Sequence, residues 1–356
     1  MAGNKSLRAA DKAKQDEFYT QLSDIENELK HYKAHFKDKT VLCNCDDPRV
    51  SNFFHYFSYG FEHLGLKKLI TTCYKSQNRD LFSKNDSERA IWLEYNGDKN
   101  GNRIPDPEEI GINFFNGDGD FRSQECIELL KQADIVVTNP PFSLFREYVA
   151  QLIEYGKKFI IIGNKNAITY KEIFSLIKDN KLWIGYTPMS QDLLFEWPQI
   201  MQRDALETGK IGSKFRIIEG KVFGRSPSIW FTNLEHKKRH EDLILYKSFN
   251  AEEYPKFDYY DAINVDKTSE IPTDYFGIMG VPITFLDKYN PEQFEIVEGL
   301  NRYTILDVDG KNEWAKKNHI HFTTINGSPK YFRILIRRKQ QSNLALAAEP
   351  KTPFNS

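Results

Sequence analysis

Asp134-Ile135-Val136-Val137-Thr138-Asn139-Pro140-Pro141-Phe142 is a β-branched apolar run that stops at a stiff turn, and a helical pattern opens behind it at Ser143. Continuous apolar runs of this length read as buried parallel strands, and open α/β sheets hold their ligands outside the carboxyl ends of such strands. Each proline pushes the residue before it into an extended conformation, and Pro140 also fixes its own φ. The Asn139 side-chain amide and the Pro140 carbonyl are therefore displayed as two acceptors on a rigid base. An exocyclic amine of a nucleobase offers two N–H donors to such a pair, and Phe142 supplies a flat face for the ring. Asn-Pro alone marks an ordinary turn. Here Asn139, Pro140, Pro141 and Phe142 each have a mechanical role, which makes them the candidate catalytic residues.

The Asn-Pro-Pro-Phe tetrapeptide resembles the acceptor-amine motif of amino-group DNA methyltransferases. Asp16-Glu17-Phe18-Tyr19-Thr20, Cys43 through Asn52, Gly117-Asp118-Gly119-Asp120-Phe121-Arg122 and Asp134 through Arg146 are similar to the EcoRI-type adenine-specific modification methylases in particular. The likeness resumes at Trp230-Phe231-Thr232-Asn233-Leu234, Ala262-Ile263-Asn264-Val265, Met279 through Phe285 and Tyr331 through Ile336, so it spans most of the chain. The resemblance implies S-adenosylmethionine as cofactor and double-stranded DNA as partner. It also implies a monomer that acts without a membrane and forms no stable complex with any restriction endonuclease sharing its site. It places Phe18, Tyr19 and Thr20 beside the methionine end of the cofactor, and Asp118, Asp120 and Phe121 around its adenine.

The first-strand turn, Cys45-Asp46-Asp47-Pro48, has no glycine-rich loop, which argues against a phosphate ligand. Carboxylates there complement a sulfonium and an ammonium, so Asp46, Asp47 and Pro48 join the candidate cofactor residues; the alternative is that the two acids only favour the start of the next helix. The second strand ends in Thr72-Cys73-Tyr74 without the acid that commonly holds a cofactor ribose. Gly117-Asp118-Gly119-Asp120 also reads as a solvated turn. No His, Cys and carboxylate group has metal-ligand spacing, and no metal is expected.

A chain of 356 residues, 40% hydrophobic and 14% aromatic, can bury a large core and exceeds what one core usually organises. Its first residues are polar, and no apolar stretch is long enough for a signal peptide or a membrane span, so the cytoplasm is the expected compartment. Cys43, Cys45, Cys73 and Cys126 lack a Cys-x-x-Cys spacing and read as reduced thiols. The formal net charge of −1 gives no global signature of a nucleic-acid binder. His236-Lys237-Lys238-Arg239-His240 and the stretch from Lys330 to Lys339 are the candidates for a local basic surface, each of which also reads as a solvated face.

Seven strands are expected, near Val41–Cys45, Lys68–Cys73, Ile112–Asn116, Asp134–Thr138, Lys158–Ile162, Leu182–Tyr186 and Ser228–Thr232, mostly alternating with helices. That pattern predicts a doubly wound, mostly parallel α/β sheet of the Rossmann-like methyltransferase kind, with its last strand reversed after a hairpin through Phe215–Ile218 and Lys221–Phe223. Ser51 and Ser143 are expected as helix N-caps, and Thr169-Tyr170-Lys171-Glu172 as a capping box. The expected division is a disordered arm at 1–15, a methyltransferase domain at 16–234 with a divergent segment at 187–214, a DNA-recognition lobe at 235–340 and a disordered tail at 341–356. The polar stretch 76–111 reads as an insertion or long loop without an evident role.

Together these features favour transfer of a methyl group to the exocyclic amine of adenine in duplex DNA. RNA or protein-glutamine methylation and a non-catalytic DNA-binding relative are the alternatives. A nuclease reading has only Asp309-Gly310-Lys311 behind it. Resemblance allows GAATTC as the recognition sequence, while the divergence of 187–214 leaves room for another short site.

Overall fold

The computed structural model describes residues 20–45, 51–74, 90–102, 104–106, 108–191, 193–196, 215–218, 220–301, 317–318 and 321–340. The chain divides into two compact units, Met1–Lys237 and Lys238–Ser356. The expected arm at 1–15 and tail at 341–356 fall outside the described residues, as does most of 187–214.

The first unit contains β1 (Thr40–Asn44), β2 (Lys68–Cys73), β3 (Ile91–Tyr95), β4 (Ile110–Phe114), β5 (Ile135–Thr138), β6 (Lys158–Asn164), β7 (Trp183–Ile184), β8 (Leu193–Glu196), β9 (Phe215–Ile218), β10 (Lys221–Ser226) and β11 (Ser228–Thr232). Eight of these form one sheet in the order β4-β3-β2-β1-β5-β6-β11-β7, while β8-β10-β9 form a small antiparallel sheet of their own. Pairing is parallel across β2-β1-β5-β6 and antiparallel at both flanks.

The expected seven-stranded, mostly parallel sheet is therefore an eight-stranded mixed one. The added strand is β3, which lies inside the stretch read as a polar insertion. There Ile91, Leu93 and Tyr95 are buried while Trp92 and Glu94 stay half-buried, a period of two over only five residues that the polar flanks mask. Between β3 and β4 the chain orders itself with side-chain oxygens. The buried Glu109 carboxylate accepts the Lys99 N–H at 2.6 Å and the Asn100 N–H at 3.2 Å, and the Asn100 and Asn102 amides each donate to Asp106 Oδ2 at 2.7 Å.

Helices cover both faces of the sheet. On one, Val41, Leu69, Ile135, Val137, Ile160 and Trp230 join Ile25, Leu29, Phe36, Phe53 and Phe57 from Leu22–Leu29, Lys33–Phe36 and Asn52–Tyr59 in a single apolar cluster. Full burial of each such side chain contributes about 1.5–3 kcal/mol. On the other face, Gln124–Gln132 packs on β1 and Phe145–Glu154 on β6, with the Phe145 and Phe231 rings 5.1 Å apart. That approach needs Gly163, where a Cβ would stand 2.4 Å from the Phe145 ring.

Two helix starts differ from expectation. Ser143 lies inside a 3-10 turn, Phe142–Leu144, because the Pro141 carbonyl accepts the Leu144 N–H at 3.0 Å; the α-helix begins only at Phe145. Thr169 does not open a capping box, because its hydroxyl turns back to the Asn166 carbonyl at 2.8 Å and Tyr170 holds the N-cap position. Ser51 stands at its N-cap position with extended backbone but makes no side-chain capping bond.

The second unit adds β12 (Lys256–Phe257), β13 (Tyr260–Asn264), β14 (Met279–Val281), β15 (Phe294–Leu300), β16 (Thr324–Ile325), β17 (Ser328–Pro329) and β18 (Arg333–Arg338). Five of them pair as β12-β13-β14-β18-β15, and β16-β17 form a hairpin. Phe257, Ala262, Leu300, Phe322, Ile325 and Leu335 make its core. None of the described helices in either unit is long and apolar enough to cross a membrane.

Candidate active site

The carboxyl ends of β1 and β5 lie side by side, since Val41 is in register with Ile135 and Leu42 with Val136. The chain leaves β5 through Thr138 and Asn139, both buried, then Pro140, also buried, and the half-buried Pro141. Phe142 is half-buried and packs one part of its surface on the main apolar cluster. Its ring is thus held from beneath at the start of the 3-10 turn.

Hydrogen bonds join this turn to the end of β1. Thr138 Oγ1 donates to the Asn44 carbonyl, and Tyr148, from the helix that follows the turn, donates its hydroxyl to Asn44 Oδ1. Burial holds the Tyr148 phenol well above its ordinary value, so it is a fixed donor. The residue after Asn44 is Cys45, whose φ of 90° lies in the left-handed region that favours glycine. A non-glycine residue there carries local strain of order 1–3 kcal/mol. The turn at β1 is consequently glycine-like in conformation without a glycine in its sequence.

Of the candidate cofactor residues, Phe18, Tyr19, Asp46, Asp47 and Pro48 lie outside the described residues. Thr20 is described. Its carbonyl accepts a 2.7 Å bond from the Asn52 amide, which ties it to the helix entered from the β1 turn. Its hydroxyl is buried and has no hydrogen-bond partner among the described residues. A buried hydroxyl without a partner costs about 1–3 kcal/mol, and a ligand atom at this place would remove that cost.

After β4, Gly119 adopts φ 77° and sits so close to the end of β2 that a Cβ would lie 2.7 Å from the Cys73 carbonyl. The acids on either side of it differ. Asp120 is bound to Arg122 through Nε at 2.9 Å and Nη2 at 2.7 Å, which lowers its carboxyl below the ordinary value. Asp118 caps the turn, accepting the Asp120 N–H at 3.0 Å. Phe121 is buried, with its ring edge-on to Tyr148 at 5.0 Å and Arg122 stacked over it at 5.4 Å.

Two of the candidate stretches meet at Asn44 and Tyr148, through the Phe121 ring and through Thr138 beside Asn139, and neither Asn44 nor Tyr148 stands among the candidate residues. Tyr148 falls on the apolar face of its helix with Phe145, Val149 and Leu152, so a hydroxyl with a specific task there looks like core. Asn44 carries a signal only in the polar side chain that follows the apolar run Val41-Leu42-Cys43. Among the described residues, no group of three or more His, Cys, Asp or Glu is arranged to hold a metal ion.

Of the two basic runs, His236–His240 is solvated only in part, with Lys237 and His240 exposed. His236 and Arg239 are buried, His236 contacts the Ile184 carbonyl at 3.0 Å, and Lys238 pairs with Asp287 at 3.7 Å. In the second run Arg333 is buried on Asn264 and Asp266, and Arg337 meets Glu295 at 3.5 Å. Tyr331, beside Lys330, is 91% exposed.

The family model described as adenine-specific methyltransferase EcoRI matches residues 6–339. The chain is 50% identical to the Type II methyltransferase M.EcoRI of Escherichia coli, over 95% of this chain and 98% of that protein. It is 41% identical to the Type II methyltransferase M.MgeORF184P of Mycoplasma genitalium and 40% identical to M.MpnI of Mycoplasma pneumoniae. Each match covers 93% of this chain and at least 97% of the relative. No solved structure gives a significant match. The turn Asn139–Phe142 at the end of β5 thus lies inside a match that runs nearly end to end, and the chain belongs to the EcoRI family of adenine-specific methyltransferases.

Proposed function

We propose that this protein transfers a methyl group from S-adenosylmethionine to N6 of an adenine extruded from a specific site in double-stranded DNA, as a cytoplasmic, restriction-modification type methylase. The observation that carries the reading is the joining of two strand ends: the rigid turn at Asn139 begins one residue after Thr138, which is itself bonded to the last residue of β1. Such paired carboxyl ends are where open α/β sheets receive ligands.

When bound, S-adenosylmethionine supplies an electrophilic methyl group on a sulfonium. The residues present suit such a ligand. Thr20 offers a buried hydroxyl without a partner among the described residues, and Phe121 offers an apolar wall held by Tyr148; the sequence adds the negative charge of Asp46 and Asp47, which complements a sulfonium and an ammonium. Asp118 is the better-placed acid for the cofactor adenine, since Asp120 is already held by Arg122.

On the acceptor side, Asn139 Oδ1 and the Pro140 carbonyl accept the two N–H bonds of the amine and draw its lone pair out of conjugation with the ring. These bonds strengthen as the nitrogen becomes the nucleophile, which is where binding accelerates a reaction. Pro141 closes the 3-10 turn that presents Phe142 as the stacking face. Recognition of the sequence is assigned to 187–214 together with the lobe at 235–340, because a sheet with one rigid pocket cannot read several base edges. Expression in a host lacking adenine methylation, followed by single-molecule mapping of modified bases, tests the whole reading. N6-methyladenine at one short sequence is expected, and genomic DNA without it would refute the assignment.

A further inference from the structure

Asn44 is gripped twice. Its carbonyl is held by Thr138, the residue before the acceptor turn, and its side-chain oxygen by Tyr148, on the helix beyond it. Asn44 also anchors the entry to the β1 turn, because Cys45 takes up its φ of 90° immediately after it. The Tyr148 ring reaches the cofactor side by a second route, through its edge contact with Phe121. All four of Asn44, Phe121, Thr138 and Tyr148 are buried, so no water is at hand to replace a broken bond. Turning the Asn44 amide away would leave the Tyr148 hydroxyl unsatisfied in an apolar setting. The two strand ends therefore hold their positions together or lose them together.

Building on the methyltransferase reading, we infer that Asn44, Thr138 and Tyr148 form a buried clamp through which binding on the cofactor side and binding of the target base at Asn139–Phe142 strengthen each other. Thr138 and Tyr148 act as positioning residues: they touch neither ligand and work through Asn44. A ligand held against the turn that begins at Cys45 holds Asn44 in place, and through it the Asn139–Phe142 turn. The second ligand then meets a turn that is already held for it.

Linkage makes the effect reciprocal, so it can be read from either ligand. The experiment uses the full-length protein, S-adenosylhomocysteine as the cofactor-side probe, and a duplex carrying the site that the protein methylates. The affinity for DNA is measured with and without S-adenosylhomocysteine, and the affinity for S-adenosylhomocysteine with and without DNA. In the wild type each ligand is expected to tighten the other by about tenfold, within the range usual for coupled sites. In Tyr148→Phe and Thr138→Val, which keep the ring and the β-branched shape, the factor should fall below about twofold while each separate affinity stays nearly unchanged. Near-ultraviolet circular dichroism confirms that each variant is folded, and either variant alone suffices for the comparison. Separate affinities that weaken together with an unchanged coupling factor would mark a merely structural role and overturn the inference. So would a wild-type protein that methylates adenine with a coupling factor of one. A wild type that neither binds S-adenosylhomocysteine nor methylates adenine would instead overturn the methyltransferase reading, and the clamp with it.

Discussion

Glu28 Oε2 accepts the backbone N–H of Thr187 at 2.7 Å across 159 residues of chain. Its other oxygen takes the Tyr186 N–H at 2.6 Å and the Tyr32 hydroxyl at 2.9 Å. The amino-terminal helix, which begins just after Thr20, therefore holds the first residue of the divergent segment. Glu28 is fully buried, and Glu28→Ala removes the carboxylate that accepts the Thr187 N–H, the Tyr186 N–H and the Tyr32 hydroxyl, where each buried donor left unsatisfied costs about 1–3 kcal/mol. A loss of about 3–5 kcal/mol is expected, read as a fall in melting temperature of roughly 10 °C. A variant melting within about two degrees of wild type would show that water can replace the carboxylate.

Asp24, one turn earlier on the same helix, predicts a pH dependence. Burial raises its carboxyl above the ordinary 3.8, and the Leu194 N–H at 3.2 Å offsets this only in part. The folded protein therefore binds a proton here more tightly than the unfolded chain does. The contribution of Asp24 to stability declines as pH rises from the unfolded value through the raised folded one. Asp24→Asn keeps an acceptor for Leu194 without the buried charge, so its melting temperature should exceed that of the wild type at pH 7 and lose that advantage near pH 3.5. Parallel melting curves across this range would contradict the assignment.

Gly163→Ala should weaken both stability and activity. Its new Cβ would lie 2.4 Å from the buried Phe145 ring and 2.9 Å from Phe231, so the helix behind the acceptor turn must shift. Overpacking of this kind costs about 1–3 kcal/mol. Because Phe145 follows Phe142 by one turn, the single-turnover rate should fall more than cofactor affinity does. Wild-type kinetics in a protein with a lowered melting temperature would separate the helix position from catalysis.

The strand and the stiff turn after it are legible in the sequence because the run from Ile135 to Phe142 combines a β-branched strand with two prolines, and few other structures fit both. Most of the features that stay hidden depend on partners far away in sequence. Five residues of alternation at Ile91–Tyr95 mean little until Cys73 and Phe114 are seen on either side of Ile91. Ser143 has the residue type of an N-cap, but the bond from Leu144 to Pro141 decides where the helix begins. Tyr148 shares its helical face with Val149 and Leu152, and only Asn44 gives its hydroxyl a purpose. The basic run at His236–His240 reads as surface from composition, yet Asp287 and the Ile184 carbonyl take up much of it.

Phe142 should bear the extruded base. An amine paired inside B-DNA cannot reach both acceptors, so the nucleotide must leave the stack, at a cost of roughly a few kcal/mol. Stacking on Phe142 offsets about 1–3 kcal/mol of this. Phe142→Ala should weaken binding by roughly 5–150-fold on paired and mismatched target sites alike, while a mismatch opposite the target tightens binding to the wild type. A fluorescent adenine analogue at the target position should brighten on complex formation. Emission that stays quenched would rule out extrusion.

The central claim is that Asn139 accepts the target amine during methyl transfer, and single-turnover kinetics of Asn139→Ala, beside its affinity for S-adenosylhomocysteine, test it most directly. Loss of an interaction made in the transition state should lower the methyl-transfer rate by about a hundredfold or more, and leave cofactor affinity within about twofold of wild type. A variant that methylates adenine at the wild-type rate would contradict the assignment of the acceptor turn.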